Sequence, residues 1–202
     1  MCYTHNTKLK LERGEKMTQL ELADVFTDTE KLVASKYGTG GVETVFYDGN
    51  APIPYGEGQY DTPITFVRGG TAGVGYNLAE GMKVAVLNFA DALRFGGWVE
   101  DGAPTQEEDL CRCTNLFNVL SREECHINYY APNIDFVRFH RGREVYLDNI
   151  IYAKGITVFK DDTTYKEIAP RKFDVITCPA PATILRPTSG TRRYADIPVG
   201  QT

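Results

Sequence analysis

The sequence predicts a single α/β domain in which a mixed central sheet has helices on both faces. Two short, apolar and β-rich runs, at residues 84–89 and 173–178, are typical of buried strands in such a sheet. Apolar residues with helical spacing begin after Thr18 and again after Pro104. The 202 residues are enough for one sizeable core and too few for two ordinary domains.

The first part of the chain is predicted to alternate helices, strands and glycine turns. A helix is expected over residues 18–36, ended by the glycines that follow it, and a strand is expected over residues 42–47. Residues 48–63 are rich in glycine, proline and asparagine and are interpreted as a loop. A short strand over residues 64–67 and a glycine-rich turn then lead into a helix over residues 72–80.

The last part of the chain is predicted to return to the sheet. A capping-box pattern at residues 121–124 indicates the start of a helix that closes near residues 129–133. Strands are expected over residues 149–152 and 157–159, and a turn then leads to the second buried strand.

The ends of the chain are expected to lie outside the folded domain. Residues 1–17 are mostly polar and are predicted to form a flexible segment, and residues 186–202 are predicted to form a loose tail. The domain itself is therefore expected to span residues 18–185.

Composition argues against several classes of function. The formal net charge is −5 and there is no long basic run, whereas general nucleic-acid binding needs clustered Lys and Arg. No apolar run approaches a membrane span, and the N-terminus lacks the apolar core of a signal peptide. Five cysteines without a signal peptide indicate reduced thiols and a cytoplasmic location. Because Cys111 and Cys113 are closer together than zinc ligands usually are, no metal site is expected. No cofactor is expected either.

The functional prediction depends on residues 84–117. The first buried strand feeds a bend that contains Gly96 and Gly97, and the bend feeds a helix whose first turn contains Glu107 and Glu108. Ligands of open α/β sheets bind beyond the carboxyl ends of strands, and phosphates favour glycine loops and helix N-termini. This order predicts a phosphate cradle beside a pair of carboxylates. Acidic residues in the first turn of a helix also fit a simpler interpretation, in which they stay solvated and stabilise the helix dipole.

This stretch resembles the bacterial-type poly(ADP-ribose) glycohydrolases, a branch of the macrodomain fold. Their signature is a run of three glycines, a spacer of six to eight residues, and then Gln-Glu-Glu. Here Gly96-Gly97-Trp98 is followed by seven residues and then by Gln106-Glu107-Glu108. Further similar segments lie at residues 88–90, 109–112, 158–162 and 175–181, so the resemblance covers roughly residues 18–181. It implies a macrodomain-like three-layer fold, with a mixed central sheet flanked by helices.

The resemblance also implies a reaction and a set of site residues. Glu108 would be the catalytic acid/base that cleaves a ribose glycosidic bond, and Glu107 would hold the ribose hydroxyls. Gly96, Gly97 and Trp98 would lie against the diphosphate. The other ligand-binding residues would be Asn88, Asp91 and Gln106, which would lie near the ribose, and Phe89. The expected partner is ADP-ribose or poly(ADP-ribose) on modified proteins, with no direct contact to nucleic acid or membrane.

Two departures from the family pattern stand out. Trp98 takes the position of the third glycine, where the family's backbone approaches phosphate without a Cβ, and Phe95 takes the position of a usual proline. We predict that the indole lines the pocket, where it either stacks on a base or ribose or blocks the site. The second phosphate loop of macrodomains is not evident, and residues 188–191 are a poor substitute, so the chain is expected to be a divergent or truncated member.

Three functions remain open on the sequence. The first is hydrolysis of poly(ADP-ribose) or protein-linked ADP-ribose. The second is a binding module that holds ADP-ribose, or a related nucleotide, without turnover. The third is an interaction protein that retains the fold alone, since a fold does not fix an activity.

Overall fold

The computed structural model describes residues 16–49, 61–140 and 146–180. The helices are α1 (Gln19–Leu32), α2 (Thr71–Leu78), α3 (Gln106–Cys113), α4 (Leu116–Leu120), α5 (Glu123–Cys125) and α6 (Ala131–Phe139). The strands are β1 (Glu43–Tyr47), β2 (Ala85–Ala90), β3 (Ile150–Lys160) and β4 (Glu167–Pro179). Two π-helical segments, Val33–Tyr37 and His126–Tyr130, and one 3-10 turn, Val99–Asp101, complete the helical structure of these ranges.

The four strands form one mixed sheet in the order β1-β3-β4-β2. β3 pairs antiparallel with both β1 and β4, whereas β4 pairs parallel with β2. The predicted α/β class with a mixed sheet is therefore confirmed. β4 contains the second predicted buried strand and is central, as expected.

The prediction that residues 84–89 form a central strand, buried on both faces, is wrong for the described part of the chain. β2 forms there, but β4 is its one neighbour within the described ranges. Alternate residues are exposed, and Phe89 is 57% exposed. Among the described strands, β2 is therefore an edge strand with one covered face.

A single core lies between one face of the sheet and the helices. Its members on the strands include Val86, Ile151, Ala153, Phe173 and Val175. Its members on the helices include Leu22, Val25, Phe26, Leu110, Leu116 and Tyr130. Gly75 of α2 packs against the same face, since a Cβ there would lie 2.8 Å from Val86. On the other face, the exposed side chains of β2 show that the predicted second helical layer does not cover this strand in the described ranges.

Helix α1 begins and ends where its sequence indicates. Thr18 caps it in a reciprocal capping box with Glu21, in which each side chain accepts from the other residue's backbone N–H. The chain continues as the π-helical segment Val33–Tyr37 and ends at Gly38, whose φ is +58°. A left-handed backbone favours glycine at this position. The predicted helix over residues 18–36 is confirmed.

Two other local predictions were wrong. Residues 64–67 do not form a strand, and Phe66 is 96% exposed, because β-rich letters need a neighbouring strand to pair with. The predicted capping box at residues 121–124 does not form either. Ser121 ends α4 and donates its hydroxyl to the Asn118 carbonyl, and the chain stays helical through His126–Tyr130 to the end of α6.

The two short strands predicted at residues 149–152 and 157–159 are one strand, β3. Its register with β4 shifts between Ala153 and Ile156, around Gly155, whose φ is +80°. The glycine supplies a bulge and does not end the strand. The turn predicted after Lys160 is present and joins β3 to β4.

Several predictions fall outside the described residues. They concern most of the N-terminal segment, the greater part of the loop at residues 48–63, and everything after residue 180, including residues 188–191. The predicted domain boundaries therefore stay predictions. In the ranges that are described, every helix falls short of the length or the apolar character that a membrane crossing would need.

Candidate active site

The candidate site lies at the carboxyl ends of the parallel strands β2 and β4. Asn88 of β2 stands opposite Thr177 of β4 and is fully buried. Its side-chain amide donates to Glu107 Oε1 at 3.2 Å and to Thr177 Oγ1 at 3.4 Å. The Oδ1 atom of Asn88 has no hydrogen-bond partner among the described residues. A buried acceptor without a partner at a strand end is a feature that a ligand hydroxyl would satisfy.

Glu107 is the deepest carboxylate of the site and is only 3% exposed. Its Oε1 accepts from Asn88 and its Oε2 accepts from the backbone N–H of Asp91 at 2.8 Å. Burial raises the pKa of Glu107 to about 8, against the opposing effect of these two hydrogen bonds. The charges of Glu108 and Asp91 act in the same direction as burial, more weakly. The alternative in which this acid is solvated at the helix start is therefore wrong.

Glu108 is the second buried carboxylate, at 4% exposure. Its Oε1 accepts the backbone N–H of Trp98 at 3.0 Å, and its Oε2 accepts the hydroxyl of Thr105. Both acids lie in the first turn of α3. The loop 91–105 supplies a hydrogen-bond donor to each of them.

The two glycines of the loop are required by these acids. Gly96 and Gly97 have φ values of +66° and +57°. A Cβ at Gly97 would lie 2.4 Å from Glu108 Oε1 and 3.2 Å from Glu107 Oε2, and one at Gly96 would lie 2.5 Å from the Phe117 ring. Side chains here would collide with the carboxylates and the core. The sequence indicated glycines for close approach to a phosphate, but it could not show that the loop also packs on its own acids.

Trp98, at the third glycine position, has an ordinary backbone with φ at −107°, so a side chain is accommodated without strain. Its ring is 56% exposed at the rim of the site. The guanidinium of Arg94 lies over the ring at 4.3 Å, and it pairs with Glu100 at 3.0 Å and Asp101 at 3.6 Å. The indole is thus covered by Arg94 on one side and open on the other, and the prediction that it lines the pocket stays a prediction.

The side chain of Gln106 is held by other residues of the protein. Its Oε1 accepts the backbone N–H of Phe89 at 2.9 Å, and its Nε2 donates to the Leu87 carbonyl at 2.7 Å and to Thr71 Oγ1 at 3.1 Å. Both of its N–H donors are therefore used within the protein. The carboxamide closes the outer edge of β2 and joins it to α2 and α3.

Asp91 and Phe89 are the other two predicted ligand residues. The carboxylate of Asp91 accepts the backbone N–H groups of Leu93 at 2.7 Å and Arg94 at 3.2 Å, which fixes the bend after β2. Phe89 offers its exposed ring on the open face of the strand. Asn88, Asp91, Glu107, Glu108, Gly97 and Trp98 are thus brought together, while Phe89 and Gln106 lie at the edge.

Two residues with no role predicted from the sequence support the site. Thr105 precedes Gln106 directly and donates to Glu108. Arg112, fully buried one turn along α3, donates to the Leu22 carbonyl at 3.3 Å and to the Ala103 carbonyl, which fastens the loop to α1 and α3. The signals for Arg112 were its position four residues after Glu108 and its place in the family-like segment 109–112.

The cysteines near the site belong to the core. Cys111 and Cys113 are fully buried, and burial raises the pKa of both thiols. Within residues 16–49, 61–140 and 146–180 no group of three or more His, Cys, Asp or Glu side chains is arranged to hold a metal ion.

Comparison with known proteins places this site in a family. The model of the microbial-type poly(ADP-ribose) glycohydrolase (PARG) catalytic domain matches residues 26–161, well over half of the chain. Among solved structures, PARG from Thermomonospora curvata is 27% identical, with a TM-score of 0.57, and the match covers 87% of this chain and 62% of that chain. PARG from the same organism bound to the inhibitor ADP-HPD is 27% identical, with a TM-score of 0.54 and coverage of 87% and 60%.

A third structure, PARG from Deinococcus radiodurans in complex with ADP-ribose, is 33% identical over 56% of this chain and 42% of that chain, with a TM-score of 0.47. No curated protein sequence matches the chain significantly. The chain spans less than two thirds of the length of the solved structures that it matches. Because the catalytic-domain model matches well over half of its residues, the chain belongs to the family of microbial-type PARG catalytic domains.

Proposed function

We propose that this chain hydrolyses the ribose glycosidic bond of poly(ADP-ribose) or of protein-linked ADP-ribose. The observation that carries the proposal is the pair of buried carboxylates, Glu107 and Glu108, held by loop and strand donors at the carboxyl end of β2. Two adjacent buried acids are costly for a fold and serve acid/base chemistry.

In the proposed reaction, Glu108 performs both proton transfers. As the carboxylic acid it gives its proton to the leaving oxygen while the bond between that oxygen and the ribose carbon breaks. The ribose carbon passes through an oxocarbenium-like state. The Glu108 carboxylate then takes a proton from the attacking water, whose oxygen bonds to the carbon, and the acid is restored.

Glu107 and Asn88 hold the ribose in this proposal. Because the pKa of Glu107 is raised to about 8, the group is mostly protonated at neutral pH. A neutral Glu107 adds no second buried negative charge beside Glu108 when that acid gives up its proton. The unpartnered Oδ1 of Asn88 is available to accept a ribose hydroxyl.

The diphosphate is proposed to lie along the loop that contains Gly96, Gly97 and Trp98, close to the N-terminus of α3, where backbone N–H groups favour anions. The modified proteins that carry ADP-ribose would be the partners. We also propose a cytoplasmic location, where thiols such as the four free cysteines of the described ranges remain reduced.

Replacement of Glu108 by Gln tests the proposal, because it keeps the shape of the side chain and removes its titratable proton. Release of ADP-ribose from a poly(ADP-ribosyl)ated protein is expected to fall at least about a hundredfold, the usual worth of a general acid/base. Calorimetric titration should show that ADP-ribose binding persists.

Normal hydrolysis by Glu108→Gln would refute the catalytic assignment. If the parent chain binds ADP-ribose but does not hydrolyse the polymer, the binding-module function holds instead. If it does neither, the interaction-protein function is left.

A further inference from the structure

Tyr129 places a polar group deep in the interior of the protein. The residue lies in the π-helical segment His126–Tyr130 and is fully buried. Its hydroxyl has no hydrogen-bond partner among the residues that the structure describes. A buried hydroxyl without a partner costs free energy, and such a group in a native fold calls for an explanation. π-helical turns within longer helices are frequent at functional sites, so a role in ligand binding is one explanation.

The surroundings of the Tyr129 hydroxyl belong to the candidate site. Burial raises the pKa of Tyr129, and electrostatic interaction with Glu107, Cys178 and Asp91 raises it further. Asp91 directly follows β2, and Cys178 stands opposite Phe89 near the end of β4. Because electrostatic interactions weaken with distance, groups on three different elements place the hydroxyl between the carboxyl ends of the two strands and the acid of α3.

The Tyr129 side chain is held in place by its neighbours. Its ring packs edge-on against Tyr130, with the ring centres 4.8 Å apart, and Tyr130 packs against Phe95 of the loop 91–105 at 5.9 Å. The backbone carbonyl of Tyr129 accepts the side-chain amide of Asn133 at 2.9 Å. A group held in this way loses little conformational entropy when a ligand binds to it.

Two buried polar atoms without partners therefore lie close to Glu107, and they have complementary roles. Asn88 Oδ1 can only accept a hydrogen bond, whereas the Tyr129 hydroxyl can donate one. The raised pKa of Tyr129 keeps the proton on its oxygen at neutral pH. A ribose with two neighbouring free hydroxyls matches this pair, because one hydroxyl can donate to Asn88 while the other accepts from Tyr129.

We propose that the Tyr129 hydroxyl donates a hydrogen bond to a hydroxyl of the reacting ribose, so that Tyr129 is a third residue of the ribose pocket beside Glu107 and Asn88. This inference rests on the proposed function. It adds a ligand-binding residue from outside the glycine loop and the strand ends. The free chain carries the cost of the unpartnered hydroxyl, and the bound ribose removes that cost.

Calorimetric titration with the full chain tests the inference. Tyr129→Phe removes the hydroxyl and keeps the ring. We expect its affinity for ADP-ribose to fall about tenfold, because one ribose hydroxyl is then left buried without a partner. Its affinity for ADP, which lacks the reacting ribose, should stay within about twofold of that of the parent.

Tyr130→Phe is the matched control. It removes a second buried hydroxyl that has no partner among the described residues. This hydroxyl also interacts with Glu107, but its other interactions are with Tyr129 and the core thiols of Cys111 and Cys125. Its affinity for ADP-ribose should therefore stay within about twofold of that of the parent. An equal fall in both variants would overturn the inference, because the loss would not depend on the direction of the hydroxyl.

Thermal unfolding separates a binding role from a structural one. Because the Tyr129 hydroxyl has no partner in the described part of the free chain, Tyr129→Phe should leave the Tm of the free chain unchanged or higher. Saturating ADP-ribose should raise the Tm of the variant less than that of the parent. A lower Tm of the free variant would indicate a structural role and would overturn the inference. Unchanged affinity for ADP-ribose, or equal losses for ADP-ribose and ADP, would do the same.

The two proposals can fail separately. A parent chain that hydrolyses poly(ADP-ribose), with normal ADP-ribose binding by Tyr129→Phe, would contradict this inference alone. A parent chain that binds ADP-ribose through Tyr129 without hydrolysing the polymer would contradict only the proposed function.

Discussion

The raised pKa of Glu107 makes a quantitative prediction about stability. The group has a pKa of about 8 in the folded chain, against 4.5 for an ordinary glutamate. Between these two values the folded state binds more protons than the unfolded state, so the free energy of unfolding must fall as the pH rises from 4.5 to 8. Stability from this group is complete below pH 4.5 and is lost above pH 8.

The magnitude follows from the same two values. The difference between 4.5 and about 8, at about 1.4 kcal/mol for each pKa unit, amounts to about 5 kcal/mol. A domain of this size is stable by only about 5–15 kcal/mol, so a single buried acid controls a large share of that stability. Water entering around the charged form reduces the effect, which makes about 5 kcal/mol an upper limit.

Urea denaturation of the parent and of Glu107→Gln, at pH values from 4.5 to 8.5, measures this effect. The variant keeps the shape and lacks the titration, so its stability relative to the parent should rise with pH across the window. Asp109 and Glu30 also have raised pKa values, but they are present in both proteins and cancel in the difference. The exposed Glu123 gives a matched control, since Glu123→Gln removes a carboxylate at the surface.

The result that would refute this reasoning is a constant difference between Glu107→Gln and the parent over the whole range. The size of the difference at a single pH is not the test, because the amide N–H₂ of Gln faces one of the donors that now serve Glu107 and shifts the stability of the variant equally at every pH. If the stability of Glu107→Gln relative to the parent falls as the pH rises, the pKa of Glu107 is lowered in the folded chain.

Two further substitutions test the loop and the edge. Gly97→Ala should cut hydrolysis about a hundredfold, because the new Cβ displaces Glu108. Gly41→Ala is the control, since Gly41 also has a positive φ but has open space around it and so measures the backbone cost of about 1–2 kcal/mol alone. Equal activity in the two variants would contradict the packing argument. Gln106→Ala should lower the free energy of unfolding by about 0.5–1.5 kcal/mol, the net worth of a typical hydrogen bond, because its two bonds to the β2 backbone are exposed and water replaces them in part. An unchanged urea midpoint would show that water replaces the carboxamide without cost.

The sequence predicted which segments form helices and strands better than it predicted which strands lie side by side. The letters of residues 84–89 identify a strand, but which strands lie beside it depends on contacts far along the chain. Its place at the edge of the sheet that the structure describes could therefore not be predicted from these letters. Residues 64–67 fail for the related reason that β-propensity describes fit to a sheet, and no strand pairs with them in the described ranges.

The sequence also predicted only part of the candidate site. Glycines before a pair of acids could be identified from spacing, and the resemblance favoured buried acids over solvated ones. The sequence could not show that Gly97 is needed by Glu108 itself, because that contact depends on a side-chain position set by Trp98 and Thr105. Nor could it show that the carboxamide of Gln106 is already occupied.

That carboxamide has a consequence for how the molecule meets other chains. An open strand edge invites pairing with a strand of a neighbour, and on β2 the Gln106 side chain takes two of the backbone groups that such a strand would use. Gln106 is followed directly by Glu107, so the first turn of α3 cannot move away from this edge without moving the acid. Protection of the Phe89 amide from hydrogen exchange should therefore report on the assembly of the active site. When the two acids are in place, the backbone groups of β2 that Gln106 occupies are therefore unavailable for pairing with a strand of another chain.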